Sequence, residues 1–220
     1  MRRDNRFRVT VQVAGEPVAA HLPNSGRLTE LLTRGRPCWL VERNGPRRKT
    51  RFDLALVDYA DTLVSVDARL PNPLVAEALA AGQMGPFQGY DSFDREVRLG
   101  ESRLDFRLSG AERVCWIETK SVTLVEDGVA RFPDAPTTRG TRHLGELTTA
   151  VCRGERAAVV FVIQRSDPLC FAPHDQADPV FGAALREAAR AGVGVYAWAC
   201  EVSRRHIVLA SQVPLELTAT

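Results

Sequence analysis

Two features of the sequence predict a two-domain protein, an N-terminal OB-like β-barrel followed by an α/β domain. Residues 1–70 contain short strand-like segments and one short helical segment, and five strands with one helix suit a small closed barrel. In residues 71–220 helical and strand-like segments alternate, which predicts a mixed central sheet flanked by helices. A fragment of a β-sandwich is the alternative for the first domain.

The elements of the first domain each have a local signature. Polar and apolar residues alternate through 7–13, and Ala14-Gly15-Glu16 predicts the turn after that strand. A short helix is expected from Gly26 to Thr33. The remaining strands are expected at residues 18–21, 37–41, 52–59 and 63–66.

The second domain begins where Pro71-Asn72-Pro73 punctuates the chain, and a helix is expected at 74–81. Further strands are expected at 94–99, 102–108, 113–119, 157–164 and 193–199. Two more helices are expected, at 137–152 and 179–191. The order of these elements is the basis for the predicted α/β architecture.

Composition narrows the class of protein. Of the 220 residues, 45% are apolar and 25% are charged, as in ordinary soluble globular proteins. The N-terminus has no apolar core of a signal peptide, and no run of 18 apolar residues is present, so a cytoplasmic protein without a membrane partner is expected. Five cysteines without a C-x-x-C pair and four histidines indicate neither a zinc site nor a disulfide framework.

Charge is distributed unevenly along the chain. Residues 1–51 carry twelve basic and four acidic side chains, a net charge of +8, and the remainder carries −6. A basic N-terminal part is typical of proteins that bind a polyanion, and it can also be a solvated surface.

The second domain contains a lysine in an unusual setting. The chain has only two lysines, Lys49 and Lys120, and Lys120 ends the segment Trp116-Ile117-Glu118-Thr119-Lys120. A hairpin with a loop at 110–113 places Asp105 opposite Glu118, and strand alternation puts Lys120 on the same face as Glu118. The three side chains are therefore predicted to converge. A cross-strand ion pair on a solvated face is the alternative.

Two adjacent carboxylates repel each other as anions and favour a hard divalent cation with oxygen ligands. The pattern therefore predicts a Mg²⁺ or Mn²⁺ site that acts on a phosphodiester, with Asp105 and Glu118 as metal ligands. Lys120 is expected to orient water or to stabilise the developing negative charge. Glu77, on the preceding helix, is a further candidate metal ligand.

A basic helix follows the predicted site. At helical spacing Arg139, Arg142, His143 and Glu146 share one face. The two arginines suit phosphate contacts, and His143 is a candidate for protonating a leaving group. An exposed, solvated face is the alternative.

Two loops of the first domain are candidates for binding DNA. Arg27 lies in the polar loop 21–27, and a second loop lies between two predicted strands. The candidate phosphate contacts of that second loop are Arg43, Arg47, Arg48, Lys49 and Arg51. A basic surface without a base-reading motif predicts salt-dependent binding that is largely independent of sequence. Phe7 and Trp39 are possible stacking residues, with core packing as the alternative.

Six segments in collinear order resemble the sugar fermentation stimulation protein A family. They are His21-Leu22-Pro23-Asn24-Ser25-Gly26, Pro71-Asn72-Pro73-Leu74-Val75, Ser102-Arg103-Leu104-Asp105-Phe106, the segment Ile117 to Leu124, Phe132-Pro133-Asp134-Ala135 and Arg139-Gly140-Thr141-Arg142-His143-Leu144. The resemblance implies an OB-like domain, a second domain of the PD-(D/E)XK nuclease type, and DNA binding without strong sequence preference. Asp105, Glu118 and Lys120 fall on the nuclease-motif positions, with Glu77 as the helix acid.

The sequence thus supports two hypotheses about function. The first is a DNA-binding protein with a Mg²⁺-dependent nuclease-type site. The second is a DNA-binding regulator of sugar-utilisation genes without catalytic activity. The form of the DNA, single- or double-stranded, and the oligomeric state stay open.

Overall fold

The structure is a computed structural model that describes residues 1–46, 48–110 and 112–218. Six strands form the first sheet, in the order β1-β2-β3-β5-β4 with β6 paired to β5. These strands are β1 (Arg2–Asn5), β2 (Arg8–Val13), β3 (Glu16–His21), β4 (Cys38–Glu42), β5 (Phe52–Tyr59) and β6 (Thr62–Ser65). Alternate residues such as Val9 and Val11 of β2 enter one buried core with Leu54 and Val57 of β5, which explains the period of two in the sequence.

Two features of this sheet differ from the prediction. The helix expected at 26–33 is wrong: the segment is a series of turns, in which Leu28 has a positive φ of 51° that no right-handed helix accommodates. The strand β1 was not predicted, because its sequence Arg-Arg-Asp-Asn has no apolar alternation. It lies at the edge of the sheet, where such residues are tolerated.

The second sheet has six strands in the order β15-β14-β12-β9-β8-β7. Its members are β7 (Ser92–Leu99), β8 (Ser102–Ser109), β9 (Cys115–Val122), β12 (Arg156–Ile163), β14 (Gly194–Val202) and β15 (Ile207–Gln212). Strands β9, β12 and β14 run parallel, and the outer pairs are antiparallel, so the predicted mixed sheet is confirmed.

Three helices pack on the two faces of this sheet, as predicted. They are α1 (Pro71–Ala80), α2 (Thr138–Cys152) and α3 (Pro179–Arg190), and a short 3₁₀ turn at Gly85–Phe87 follows α1. Leu144 of α2 and Leu185 of α3 share a core with Phe161 of β12, whereas Val75 of α1 shares the opposite core with Val160. Successive residues of β12 thus enter different cores, which is why that strand is apolar throughout.

A third, small sheet was not predicted. It consists of β10 (Val125–Glu126), β11 (Val129–Phe132) and β13 (Cys170–Pro173), in that order. Strands of two to four residues are too short to show a period in the sequence.

The six-residue strand β15 of the second sheet was also not predicted.

The first and second domains are joined by direct hydrogen bonds. Ser65 at the end of β6 donates from its backbone N–H to the Gln164 carbonyl (2.9 Å) and from its hydroxyl to Gln164 Oε1 (3.0 Å). The Arg27 backbone N–H donates to Asp134 Oδ2 (2.6 Å). A Cβ on Gly26 would lie 2.6 Å from the same carboxylate oxygen, so a larger residue there would displace the Asp134 side chain.

Within the described part of the chain, no helix combines the length and the apolar character needed to cross a membrane.

Candidate metal centre

The hairpin of β8 and β9 brings two carboxylates together. Phe106 pairs with Ile117 and Leu108 with Cys115, and this ladder ends one position before Asp105 and Glu118. This is the predicted register, although residue 111 of the connecting loop lies outside the described residues. The two acids are close enough for the charge of Glu118 to raise the pKa of Asp105, although Asp105 bonds Asn72 of α1 and Glu118 contacts His143 of α2.

Asp105 accepts three hydrogen bonds. The Asn72 amide of α1 donates to Asp105 Oδ1 (2.6 Å), and Thr119 donates to Oδ2 from its backbone N–H (2.7 Å) and from its hydroxyl (2.7 Å). The pKa of Asp105 is nevertheless raised, because burial and the charge of Glu118 outweigh these donors. A positive ion beside Asp105 would relieve that cost.

Glu118 is 4% exposed and uses one oxygen, Oε1, for two contacts. Lys120 Nζ donates to Oε1 (2.5 Å), and Nδ1 of His143 in α2 is the second partner. Burial by itself raises the pKa of Glu118, but the hydrogen bond from His143 and the charge of Lys120 outweigh burial, so the net pKa lies below its usual value. Glu118 is therefore held as an anion in a buried place.

The tautomer of His143 follows from its neighbours. Arg139 can only donate, and its Nε lies 3.2 Å from His143 Nε2, so Nε2 is the acceptor and the ring proton is on Nδ1, facing Glu118. Lys120 Nζ lies 3.5 Å from Nδ1 and makes its short contact with the carboxylate. His143 is buried, so the alternative of an exposed, solvated face is wrong for this residue.

The other oxygen of Glu118, Oε2, is buried and has no hydrogen-bond partner among the described residues. A buried carboxylate oxygen normally has a partner, so this one is suited to binding a ligand. In the part of the chain that the structure describes, no three side chains of the His, Cys, Asp and Glu types are grouped to hold a metal. The centre therefore offers two carboxylates and no third acid from those residues.

Glu77 does not join this centre. It is exposed on α1, and no hydrogen bond or ion pair of the described residues connects it to Asp105 or Glu118. It follows Asn72 by five residues, which at 3.6 residues per turn places the two side chains roughly 140° apart around the helix. Asn72 reaches Asp105, so Glu77 points elsewhere. Asn72 was missed as a site residue, although it lies between two prolines at the start of the helix and in a segment that resembles the family.

The predicted basic face of α2 divides into separate contacts. Arg139 contacts His143, and Arg142 is exposed. Glu146 instead accepts from the backbone N–H of Glu101 (3.1 Å), in the turn between β7 and β8. Only the two arginines remain as candidate phosphate contacts on this helix.

The basic loop before β5 is organised by one carboxylate. Asp53, which is 3% exposed, contacts Arg48, lies 2.9 Å from Arg69 and lies 3.9 Å from Arg43. Burial opposes ionisation, but hydrogen bonds from Arg48 and Arg69 hold the pKa of Asp53 below its usual value. Arg48 and Arg43 are thus partly neutralised.

The other predicted DNA contacts differ in their surroundings. Arg51 pairs with Glu42 (2.8 Å), whereas Lys49 is exposed and forms no ion pair with a described residue. Arg27 is exposed and held through its backbone by Asp134. Arg47 lies outside the described residues.

The fold and the site define a class of two-domain protein. One domain has an OB-type sheet, and the other is an α/β domain that holds a buried acidic centre. The SfsA N-terminal OB domain model matches residues 1–66, and the model described as the sugar fermentation stimulation protein RE domain matches residues 69–206. The chain belongs to the sugar fermentation stimulation protein family. The predicted OB-like first domain is thereby confirmed.

Relatives and a solved structure agree with this assignment. Sugar fermentation stimulation protein homologues of Desulforamulus reducens and Moorella thermoacetica are 47% and 48% identical, over 98% of this chain and 90% and 94% of their own lengths. The structure of Pyrococcus furiosus SfsA in complex with Ca²⁺ is similar with a TM-score of 0.90 and 30% identity. That alignment covers 98% of this chain and 93% of the other.

The raised pKa of Asp105 predicts a pH-dependent effect of Asp105→Asn on stability. Because the pKa of Asp105 is higher in the folded than in the unfolded state, protonation of Asp105 stabilises the fold. This stabilisation is fully present below the unfolded pKa of about 3.9 and is lost as pH rises through the folded pKa. In EDTA, the free energy of unfolding of the variant minus that of the wild type should therefore increase from about pH 4 to about pH 7.

Urea unfolding at both pH values measures this difference. Asp94→Asn, which removes an exposed carboxylate of β7, controls for the change in net charge. A difference between Asp105→Asn and wild type that stays constant with pH, or falls, would contradict the burial of Asp105 described above.

Proposed function

We propose that this protein binds DNA and hydrolyses phosphodiester bonds with Mg²⁺ or Mn²⁺ at a centre of the PD-(D/E)XK type. The observation that carries the proposal is the buried carboxylate Glu118 close to Asp105, with Lys120 Nζ 2.5 Å from Glu118. The unpartnered Glu118 Oε2 and the raised pKa of Asp105 both favour a divalent cation at this place. The Pyrococcus furiosus relative is in complex with Ca²⁺ in its structure, and Ca²⁺ is another divalent cation that prefers oxygen ligands.

The residues of the centre have three roles: binding the cation, stabilising charge and positioning other side chains. Asp105 and Glu118 would hold the cation, which when bound supplies positive charge that stabilises the anionic transition state of phosphodiester hydrolysis. Lys120 places a second positive charge beside the same carboxylate, where it can stabilise charge on phosphate oxygens. His143 touches Glu118 and Arg139 and is a positioning residue, because its only ring proton faces Glu118. Asn72 and Thr119 position Asp105.

A second candidate, a DNA-binding regulator without catalysis, is favoured by one observation. The preceding helix contributes the amide of Asn72 at the position where an acid was predicted, so the centre has two carboxylates and Lys120 and His143 already contact one of them. In such a cluster Lys120 and His143 already compensate the charge of Glu118 without a cation. The two candidates predict different outcomes in the same experiment.

The catalytic proposal predicts metal-dependent cleavage that depends on β8 and β9. Wild-type protein should cleave labelled single- or double-stranded DNA in Mg²⁺ or Mn²⁺ and not in EDTA. Asp105→Ala should abolish cleavage, and Lys120→Ala should slow it by about 100-fold or more, the usual cost of removing one group that stabilises transition-state charge. Asp94→Ala, an exposed acid on the neighbouring strand, is the matched control and should cleave as wild type.

Binding of DNA without cleavage in any of these metals, equal in wild type and in Asp105→Ala, would reject the nuclease proposal. That outcome would support the regulator.

The basic loop predicts a specific salt dependence. Each phosphate neutralised by a protein cation adds about 0.9 to the slope of log K against log salt for duplex DNA. Lys49→Ala should reduce that slope by about 1, because Lys49 has no ion pair with a described residue. Arg51→Ala should reduce it less, because Arg51 is already paired with Glu42. Equal effects of the two substitutions, measured by fluorescence anisotropy across a salt series, would contradict this assignment.

A further inference from the structure

Phe7 is the one aromatic residue among the strongly exposed large apolar side chains of residues 1–46, 48–110 and 112–218. It is 48% exposed and directly precedes β2. Trp39, the other aromatic considered as a stacking residue, is half-buried beneath Arg204, whose guanidinium carbon lies 4.6 Å from the ring centroid. Of the two rings, that of Phe7 is the more exposed.

The backbone that carries Phe7 is fixed on both sides. Its N–H donates to Asn5 Oδ1 (2.9 Å), and its carbonyl accepts from the Leu22 N–H (2.9 Å). An aromatic ring has only two side-chain torsions, so little conformational freedom remains to be lost when a ligand stacks on it. The exposed ring is therefore a preorganised surface.

The ring lines a pocket of about 500 Å³ together with Arg8, His21, Arg48 and Lys49, here named the Phe7 pocket. Arg48 is tied to Asp53, and Arg8 lies 3.5 Å from Asp4, whereas Lys49 has no ion pair with a described residue. The Arg6 guanidinium carbon lies 5.5 Å from the centroid of the Phe7 ring. Cations thus surround an apolar ring face.

This combination has a defined ligand chemistry. Nucleobases stack on aromatic side chains, and the adjoining phosphate needs a cation within reach. In a duplex both faces of a base are covered by its neighbours, so only an unpaired nucleotide can offer a face to Phe7. A single exposed apolar residue is common and does not by itself indicate a ligand. An aromatic ring on a fixed backbone, inside a cationic pocket of nucleotide size, does indicate one.

The Phe7 pocket is separate from the candidate metal centre. A cavity of about 300 Å³ between the two domains is lined by Arg6, the neighbour of Phe7, and by Ser121 of β9. Neither this cavity nor the Phe7 pocket is lined by Asp105, Glu118 or Lys120, so the pocket is a binding site of its own.

We infer that the Phe7 pocket binds the base and phosphate of an unpaired nucleotide, which makes single-stranded or locally melted DNA the preferred ligand of this protein. The link to cleavage rests on the proposed function, but the pocket itself is tested without metal. The probes are a short oligothymidine and an abasic oligonucleotide of the same length, which carry the same phosphates with and without bases. Fluorescence anisotropy in EDTA measures the affinity of each.

Wild type should bind the oligothymidine about five-fold or more tightly than the abasic strand, the ratio that corresponds to about 1 kcal/mol for one stacked base. Phe7→Leu keeps an apolar side chain without a π-face and should reduce this ratio to about one, whereas Phe7→Trp should keep it. Val13→Ala, which alters a 45% exposed residue at the other end of β2, is the matched control and should also keep it.

A wild-type ratio near one, or a ratio unchanged in Phe7→Leu, would overturn the inference. Metal-dependent cleavage by wild type together with either result would leave the nuclease proposal intact and reject the Phe7 pocket alone. A ratio that depends on Phe7, in a protein that cleaves no DNA in any metal, would establish the pocket and reject the nuclease.

Discussion

The second domain depends on the burial of one charged group, the carboxylate of Glu118. Burying an unpaired carboxylate costs several kcal/mol of folding free energy, so Glu118 needs partners wherever β9 is buried. Lys120 supplies one partner from the same strand, and His143 supplies the other from α2. Because Arg139 fixes the tautomer of His143, the position of α2 and the ionisation of Glu118 are linked.

The two hydrophobic cores explain how such a group is tolerated. The strand β9 lies between β8 and β12, inside a sheet covered by α1 on one face and by α2 and α3 on the other. This packing fixes the backbone of β9 and leaves its polar side chains little freedom. Glu118 Oε2 has no partner among the described residues, and the charge of Glu118 helps to raise the pKa of the nearby Asp105. A rigid scaffold with one unsatisfied ligand is what a cation-binding centre requires.

The parts of the site that lie on strands could be predicted from the sequence, because strand side chains alternate and a hairpin relates two strands by one register. The convergence of Asp105, Glu118 and Lys120 was predicted in this way, and the register expected for the hairpin is observed from Phe106 to Leu108. The contribution of α1 could not be predicted. Successive residues of a helix are rotated by about 100°, and packing decides how the helix is turned about its own axis. The buried Val75 and Ala78 fix that rotation, with Asn72 toward Asp105 and Glu77 toward solvent.

Long amphipathic or apolar elements were likewise predictable, whereas elements defined by single contacts were not. The helices α2 and α3 have a clear helical period in the sequence, and the strand β12 is a continuous apolar run. The turns at 26–33 depend on the positive φ of Leu28, for which the sequence has no signal. The buried state of His143 depends on Glu118, a long-range partner on another element.

The central claim is that Asp105 and Glu118 together hold a divalent cation, and a calorimetric titration with Mn²⁺ tests it most directly. The account predicts one binding site in the wild type and its loss in Glu118→Gln, with Asp94→Asn binding as the wild type does. Comparable unfolding of all three proteins in EDTA would show that the fold is retained. Absence of Mn²⁺ binding by the wild type, or equal binding by Glu118→Gln, would contradict the account.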